Sequence, residues 1–204
     1  MNTSTQPAPH FVPHLSELRH SLERHRPIFI AEVPGVKRAA VAAIVREHPE
    51  SGAELLFIHR AEHPRDPWSG HMAFPGGRKD DGDVDTRDTA LRETREEIGL
   101  DLGAAAEPLA ELSHLNAIAH GKRLPMVIVP YLYELVGDPQ LALNHEVQSV
   151  HWVPLTFLLD PHNRGTLERK VFGQTLDLPC YEFDGQTIWG LTLRMADELL
   201  ELLG

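Results

Sequence analysis

A single cysteine, Cys180, serves the whole of a 204-residue chain. That excludes an intrachain disulfide framework and a cysteine-rich zinc module, and it predicts a reducing, cytoplasmic setting. Basic side chains are scarce too: 19 Lys and Arg stand against 30 Asp and Glu, a formal net charge of −11. This is the wrong sign for broad attachment to nucleic acid or to an anionic membrane, and it leaves small anionic ligands held by a local basic pocket. No run approaches the roughly 18 uninterrupted apolar residues of a membrane span. Met1 to Pro13 also lacks the basic and then apolar pattern of a secretory leader, so neither secretion nor membrane insertion is expected.

The remaining composition, 42% apolar and 24% charged, is that of an ordinary folded chain, and the length suits one globular unit. Residues 1–13, rich in Thr, Gln, Pro and Ser, read as a flexible tail, and residues 14–204 as one domain. Leu15, Leu18 and Leu22 recur at helical spacing between His14 and His25. Arg38 to Arg46 and Leu55 to Arg60 read as neighbouring strands across the turn-prone segment His48 to Gly52. Ala61 to Asp85 holds too many Pro and Gly for a regular element and is long for a plain connection, which marks it as a functional loop. A helix is expected from Thr86 to Ile98, stopped by Gly99. Leu109 to Ile118 and Met126 to Leu135 read as strands, Trp152 to Leu158 as a short helix, and Ile188 to Leu203 as a closing helix. Trp152 and Trp189, each at the start of a helix, read as core aromatics. This order favours a mixed α/β or α+β layered fold.

Chemistry concentrates in the Thr86 to Ile98 helix. Glu93, Glu96 and Glu97 stand at i, i+3 and i+4, on one face, with Leu91, Thr94 and Ile98 toward the other. Such a row fits either a solvated face paired with Arg87, Arg92 and Arg95 or a site for a hard divalent cation, Mg²⁺ or Mn²⁺, rather than zinc or copper. The preceding loop favours the second. Gly76 and Gly77 allow the backbone to approach a ligand closely, and a carbonyl of either could complete the coordination of a metal. Arg60, Arg65, Arg78 and Lys79 gather around the loop in an otherwise acidic chain and suit phosphate contacts. Cys180 has no base beside it and reads as a small buried hydrophobe.

Gly77, five residues, Asp83, eight residues and then Arg92-Glu93-Thr94-Arg95-Glu96-Glu97-Ile98-Gly99-Leu100 resemble the Nudix box. Asp83 in place of the usual Glu, the extra residue before Arg92, and Phe74-Pro75-Gly76-Gly77 upstream are similar to the coenzyme A pyrophosphatase branch of that family. Leu55, Leu56, Arg60, Ala61, Arg65 and Gly70 resemble a further stretch of the branch, with shifted spacing and with His71-Met72 where Gln and an aliphatic residue are common. Ile188 to Thr192 with Arg194 resembles its C-terminal segment. The resemblance implies an α/β/α sandwich with a mixed central sheet and hydrolysis of coenzyme A, or a derivative, to 4′-phosphopantetheine and adenosine 3′,5′-bisphosphate. It implies Glu96 and Glu97 as principal metal ligands, Glu93 assisting or accepting a proton, and Arg92 orienting Glu96 by an ion pair. Glu146 is the second candidate for general base, ahead of His145 and His151. Arg60, Arg65 or Arg78 would meet substrate phosphate, and Trp68 or Phe74 the adenine or pantetheine. Two other readings stay open: hydrolysis of another nucleoside diphosphate derivative such as ADP-ribose or a dinucleotide, and a non-catalytic nucleotide sensor. The N- or C-terminal helix could serve a homodimer.

Overall fold

The structure is a computed structural model and describes residues 12–63, 69–119, 122–171 and 174–203. In chain order it holds α1 (Leu15–Leu22), β1 (Lys37–His48), β2 (Gly52–Arg60), β3 (Met72–Ala73), β4 (Gly76–Arg78), α2 (Thr86–Ile98) and α3 (Leu102–Ala105). There follow β5 (Ala106–Glu111), β6 (Leu115–Ala119), β7 (Lys122–Leu135), β8 (Val147–Pro154), α4 (Leu155–Leu159), a 3₁₀ turn at Pro161–Asn163, β9 (Arg164–Val171), β10 (Gln174–Phe183), β11 (Gln186–Trp189) and α5 (Gly190–Glu201). The expected tail falls almost wholly outside the described residues.

The expected hairpin forms: β1 and β2 pair antiparallel from Val45 with Leu55 to His48 with Gly52. Beyond that point the two strands part, and the fork between them is filled from the breaker-rich segment. β3 pairs with β2 through Ile58 and His59, and β4 pairs with β1 through Ala39, Ala40 and Val41. Pro75 bridges the two, its carbonyl accepting from the Ala42 amide at 2.8 Å. β1 also runs parallel to β7, β5 and β6 pair antiparallel with β7, and β8 pairs with the other edge of β2, completing a mixed sheet of eight strands.

Both faces of the central strands are covered, which is why β1 and β2 read as near-continuous apolar runs. On one face Ala43, Val45, Leu55 and Phe57 pack with Leu15 and Leu18 of α1, Leu155 and Leu158 of α4, and Leu193, Ala196 and Leu199 of α5. On the other, Ala42, Ile44, Leu56 and Ile58 meet Ile98, Leu100, Leu102 and Val147. The result is the α/β/α sandwich with a mixed central sheet.

Several boundaries differ from the sequence expectations. The strand expected over Leu109 to Ile118 is two, β5 and β6, broken at residues 112–114, where Glu198 accepts from the Ser113 amide and Ile28 from the His114 amide. Trp152 lies in β8 with the Arg46 guanidinium 4.0 Å above its ring, and the helix begins only after Pro154. Ile188 and Trp189 are likewise strand, with α5 starting at Gly190 (φ +66°). Trp189 is half-buried between His71 and Arg169 rather than in the core. Strands β9 and β10 form with β11 a second sheet, fastened to the body where the Tyr181 hydroxyl donates to the Leu158 carbonyl at 2.6 Å.

Candidate active site

Helix α2 takes the bounds its sequence predicts because both ends are capped. The Asp85 carboxylate accepts from the Asp88 amide at 2.8 Å, and Gly99 adopts φ +71° and donates to Arg95. Its last carbonyls are met from outside: the Ala142 amide donates to Ile98 and the Asn144 amide to Glu97, at 2.8 and 2.9 Å. This docking brings the following residue pair, His145 and Glu146, to the carboxylate end of α2. Glu146 is exposed, and its charge raises the pKa of both Glu93 and Glu97.

The three box carboxylates are graded by burial rather than lying evenly in a row. Thr94 and Ile98 face the sheet as expected, while Leu91 is only partly buried and Glu97 joins the buried side. The side chains of Glu97, Glu93 and Glu96 are 1%, 16% and 55% exposed. Glu97 Oε2 accepts from the Gly76 amide at 2.8 Å and Oε1 from Arg60 Nη1 at 3.3 Å. Burial pushes its pKa up to about 7, opposed by that amide and by Arg60 and reinforced by Glu93 and Glu146. Burial raises Glu93 as well, against the pull of Arg92.

Gly76 and Gly77 are required here for separate reasons. Gly76 has φ +153°, and a Cβ would strike the Ala40 carbonyl and stand 2.6 Å from Val41 Cα. A Cβ on Gly77 would stand 2.5 and 2.7 Å from the Glu93 carboxylate oxygens, so the glycine is the space in which that carboxylate rests.

Arg92 does pair with Glu96, at 3.2 Å, but its main partner is Asp83, gripped by both arms of the guanidinium at 2.8 and 2.9 Å. It also reaches Glu93 Oε1 at 2.8 Å and the Arg78 carbonyl at 3.1 Å. Asp83 is 7% exposed, accepts further from Thr89 and the Asp80 amide, and is held well below the usual carboxylate range, first by Arg92. Its position in the motif marked Asp83, but nothing in the sequence showed it as the anchor of Arg92.

Phe74 corrects a sequence expectation. It is 1% exposed and packs on Phe57 with ring centroids 5.1 Å apart, so it fills the core and has no surface left for adenine or pantetheine. Arg78 is paired with Ala39, whose side chain faces α1 and α5, so the Arg78 side chain projects from the sheet face opposite α2. Arg60 points at Glu97 rather than outward. Arg65 and Trp68 lie outside the described residues. Cys180 is buried and its thiol pKa is raised by burial, as suits an inert side chain.

Among the described residues no three His, Cys, Asp or Glu side chains converge on one point in ligand geometry; Arg60 holds Glu97, and Arg92 bridges Glu93 and Glu96. The donor set still fits a hard divalent cation. It is all oxygen, and the mutual repulsion of Glu93, Glu97 and Glu146 is of the kind such an ion relieves.

The site is thus an acidic helix laid over a glycine-lined fork in a three-layer sandwich. The NUDIX domain model matches residues 36–172. NudL of Yersinia pestis, described as an uncharacterised Nudix hydrolase, is 31% identical over 168 residues, covering 81% of this chain and 79% of that protein. An uncharacterised protein of Schizosaccharomyces pombe is 36% identical over 110 residues, 52% of this chain and 33% of that longer protein. The Ap4A hydrolase of Caenorhabditis elegans superposes with a TM-score of 0.50 at 26% identity, over 61% of this chain and 84% of that one. The chain belongs to the Nudix hydrolase family, whose members generally use divalent metal ions. No described helix is long and apolar enough to cross a membrane.

Proposed function

We propose that residues 14–204 form one Mg²⁺- or Mn²⁺-dependent pyrophosphohydrolase domain that cleaves the diphosphate of coenzyme A, or a derivative, to 4′-phosphopantetheine and adenosine 3′,5′-bisphosphate. The observation that carries the chemistry is the seating of Glu97 on the Gly76 amide and of Glu93 against Gly77, with Glu146 alongside. Glu93, Glu96 and Glu97 would hold the cations, with a carbonyl of Gly76 or Gly77 as a further oxygen. Bound there, divalent ions neutralise the diphosphate and lower the pKa of water. Arg92, clamped by Asp83, fixes Glu93 and Glu96 relative to each other. Glu146, unburied and close enough to perturb Glu93 and Glu97, suits the removal of a proton from the attacking water.

The substrate assignment is supported by Asp83 at its longer spacing and by Phe74 to Gly77. Asp83 at that spacing holds Arg92 from a buried position. Incubation with coenzyme A and Mg²⁺, with products resolved by mass, tests the reading. Release of 4′-phosphopantetheine, lost in Glu96→Gln, is expected. A second reading, dinucleotide hydrolysis, is favoured by the likeness to the nematode Ap4A hydrolase. Cleavage of a dinucleotide with coenzyme A left intact would select it, and no cleavage of either would leave a nucleotide sensor.

A further inference from the structure

The contact between Arg60 and Glu97 carries an inference that rests on the metal-dependent reading above and adds a regulation of the same site. Both oxygens of Glu97 are engaged, one by the Gly76 amide and the other by the guanidinium. A divalent ion and a guanidinium at one carboxylate repel each other steeply where water is largely excluded. We propose that Arg60 is the resident counter-ion of Glu97 in the ion-free protein, and that cation binding at Glu97 releases the guanidinium to a substrate phosphate, making metal and substrate bind cooperatively.

Local geometry suits such a switch. The backbone is pinned on both sides of the residue: the Arg60 amide donates to the His71 carbonyl at 3.1 Å, and the Ala61 amide to the Glu146 carbonyl at 2.7 Å. The side chain, 23% exposed, springs from a break in the β2–β8 register at His59 and Arg60. A change of its rotamer would leave both strands in place. Three other cations close to the site are placed elsewhere. Arg92 is gripped by buried Asp83, Lys79 donates to the Asp83 carbonyl, and Arg78 lies across the sheet. The guanidinium fork also matches phosphate oxygens in bidentate geometry.

The test is Mn²⁺ titration followed by electron paramagnetic resonance, without nucleotide, on the parent chain, Arg60→Gln and Arg60→Lys. If the guanidinium competes for Glu97, Arg60→Gln binds Mn²⁺ at least about fivefold tighter, a typical coupling between sites. Arg60→Lys, which keeps the charge, stays near the parent. In a Glu97→Gln background the effect of Arg60→Gln disappears. Mn²⁺ also strengthens binding of adenosine 3′,5′-bisphosphate to the parent, and Arg60→Gln loses that gain. A merely structural arginine gives the opposite sign, so unchanged or weaker Mn²⁺ binding by folded Arg60→Gln overturns the proposal. Survival of the nucleotide gain overturns the release step. Arg60→Met, which keeps the apolar stem, replaces Arg60→Gln if the latter does not fold. Absence of Mn²⁺ binding by the parent would remove this inference and the metal-dependent reading together. A different cleaved nucleotide would revise only the substrate.

Discussion

Replacing Gly77 by Ala tests whether the glycine exists for the sheet or for the carboxylate beside it. The added methyl would stand 2.5 and 2.7 Å from the Glu93 oxygens, against an ordinary contact of about 3.5 Å, so Glu93 must retreat by about 1 Å. The end of a flexible side chain yields readily. The partly exposed ion pair with Arg92 is worth about 0.2–1 kcal/mol, and a strand alanine recovers about 0.5–1 kcal/mol of backbone entropy over glycine. Stability should therefore stay within about 1 kcal/mol of the parent, a shift in Tm of roughly 2–4 °C. The rate should not survive so well, because a 1 Å misplacement in such a site costs about 100-fold. Gly76→Ala is the internal contrast: its methyl meets backbone, at a φ of +153°, where strain and overpacking together cost about 2–6 kcal/mol. Thermal unfolding in chelator and initial rates of coenzyme A cleavage at saturating Mg²⁺ separate the two. A Gly77→Ala protein within threefold of the parent rate, or one destabilised as severely as Gly76→Ala, would refute the reasoning.

Asp83→Asn should remove about 3 kcal/mol of stability at pH 7, the cost of breaking a buried pair by losing one partner. Because Arg92 holds the folded Asp83 pKa below its unfolded value, this contribution is present above the ordinary carboxylate range and fades as pH falls toward the depressed value. Urea titrations of the two proteins should converge in acid, and a constant gap would reject the assignment. Glu146→Gln should leave stability within about 0.5 kcal/mol while lowering kcat by about 100- to 10,000-fold if Glu146 takes the proton. Since its charge raises Glu93 and Glu97, the acid limb of the pH–rate profile should also move to lower pH. An unchanged kcat would exonerate Glu146.

What was legible in the sequence was whatever local chemistry specifies. Helix α2 carries its own caps, and β1 and β2 carry their own turn, so both are readable without tertiary contacts. β3 and β4, of two and three residues, have no periodicity to read and exist because a fork in the sheet accepts them. The arm formed by β9 and β10 escaped because residues 174–177 at its end are exposed on both faces and show no alternation. Within the site, the box residues and the Arg92–Glu96 pair could be named, but not the buried anchors. The anchoring of Arg92 on Asp83 and of Arg60 on Glu97 joins residues 9 and 37 positions apart, and neither contact has a local signature. Phe74 shows the converse error, since an aromatic beside a ligand loop looks the same in sequence whether it faces the ligand or the core.

The fork has a further consequence for how such a protein can diversify. The segment that fills it is fastened twice, by β3 on β2 and by β4 on β1, and the loop ahead of it is closed at its base by the Arg60 amide on the His71 carbonyl. Lengthening or shortening the chain between those two residues costs only the slow logarithmic penalty of loop closure. Gly76, Gly77 and the α2 carboxylates are fastened by β3, β4 and the helix caps instead. On the proposed reading, in which Arg65 of that stretch meets substrate, ligand choice drifts by insertion and deletion while the α2 carboxylates stay in register, so that selectivity and reactivity are separately heritable traits.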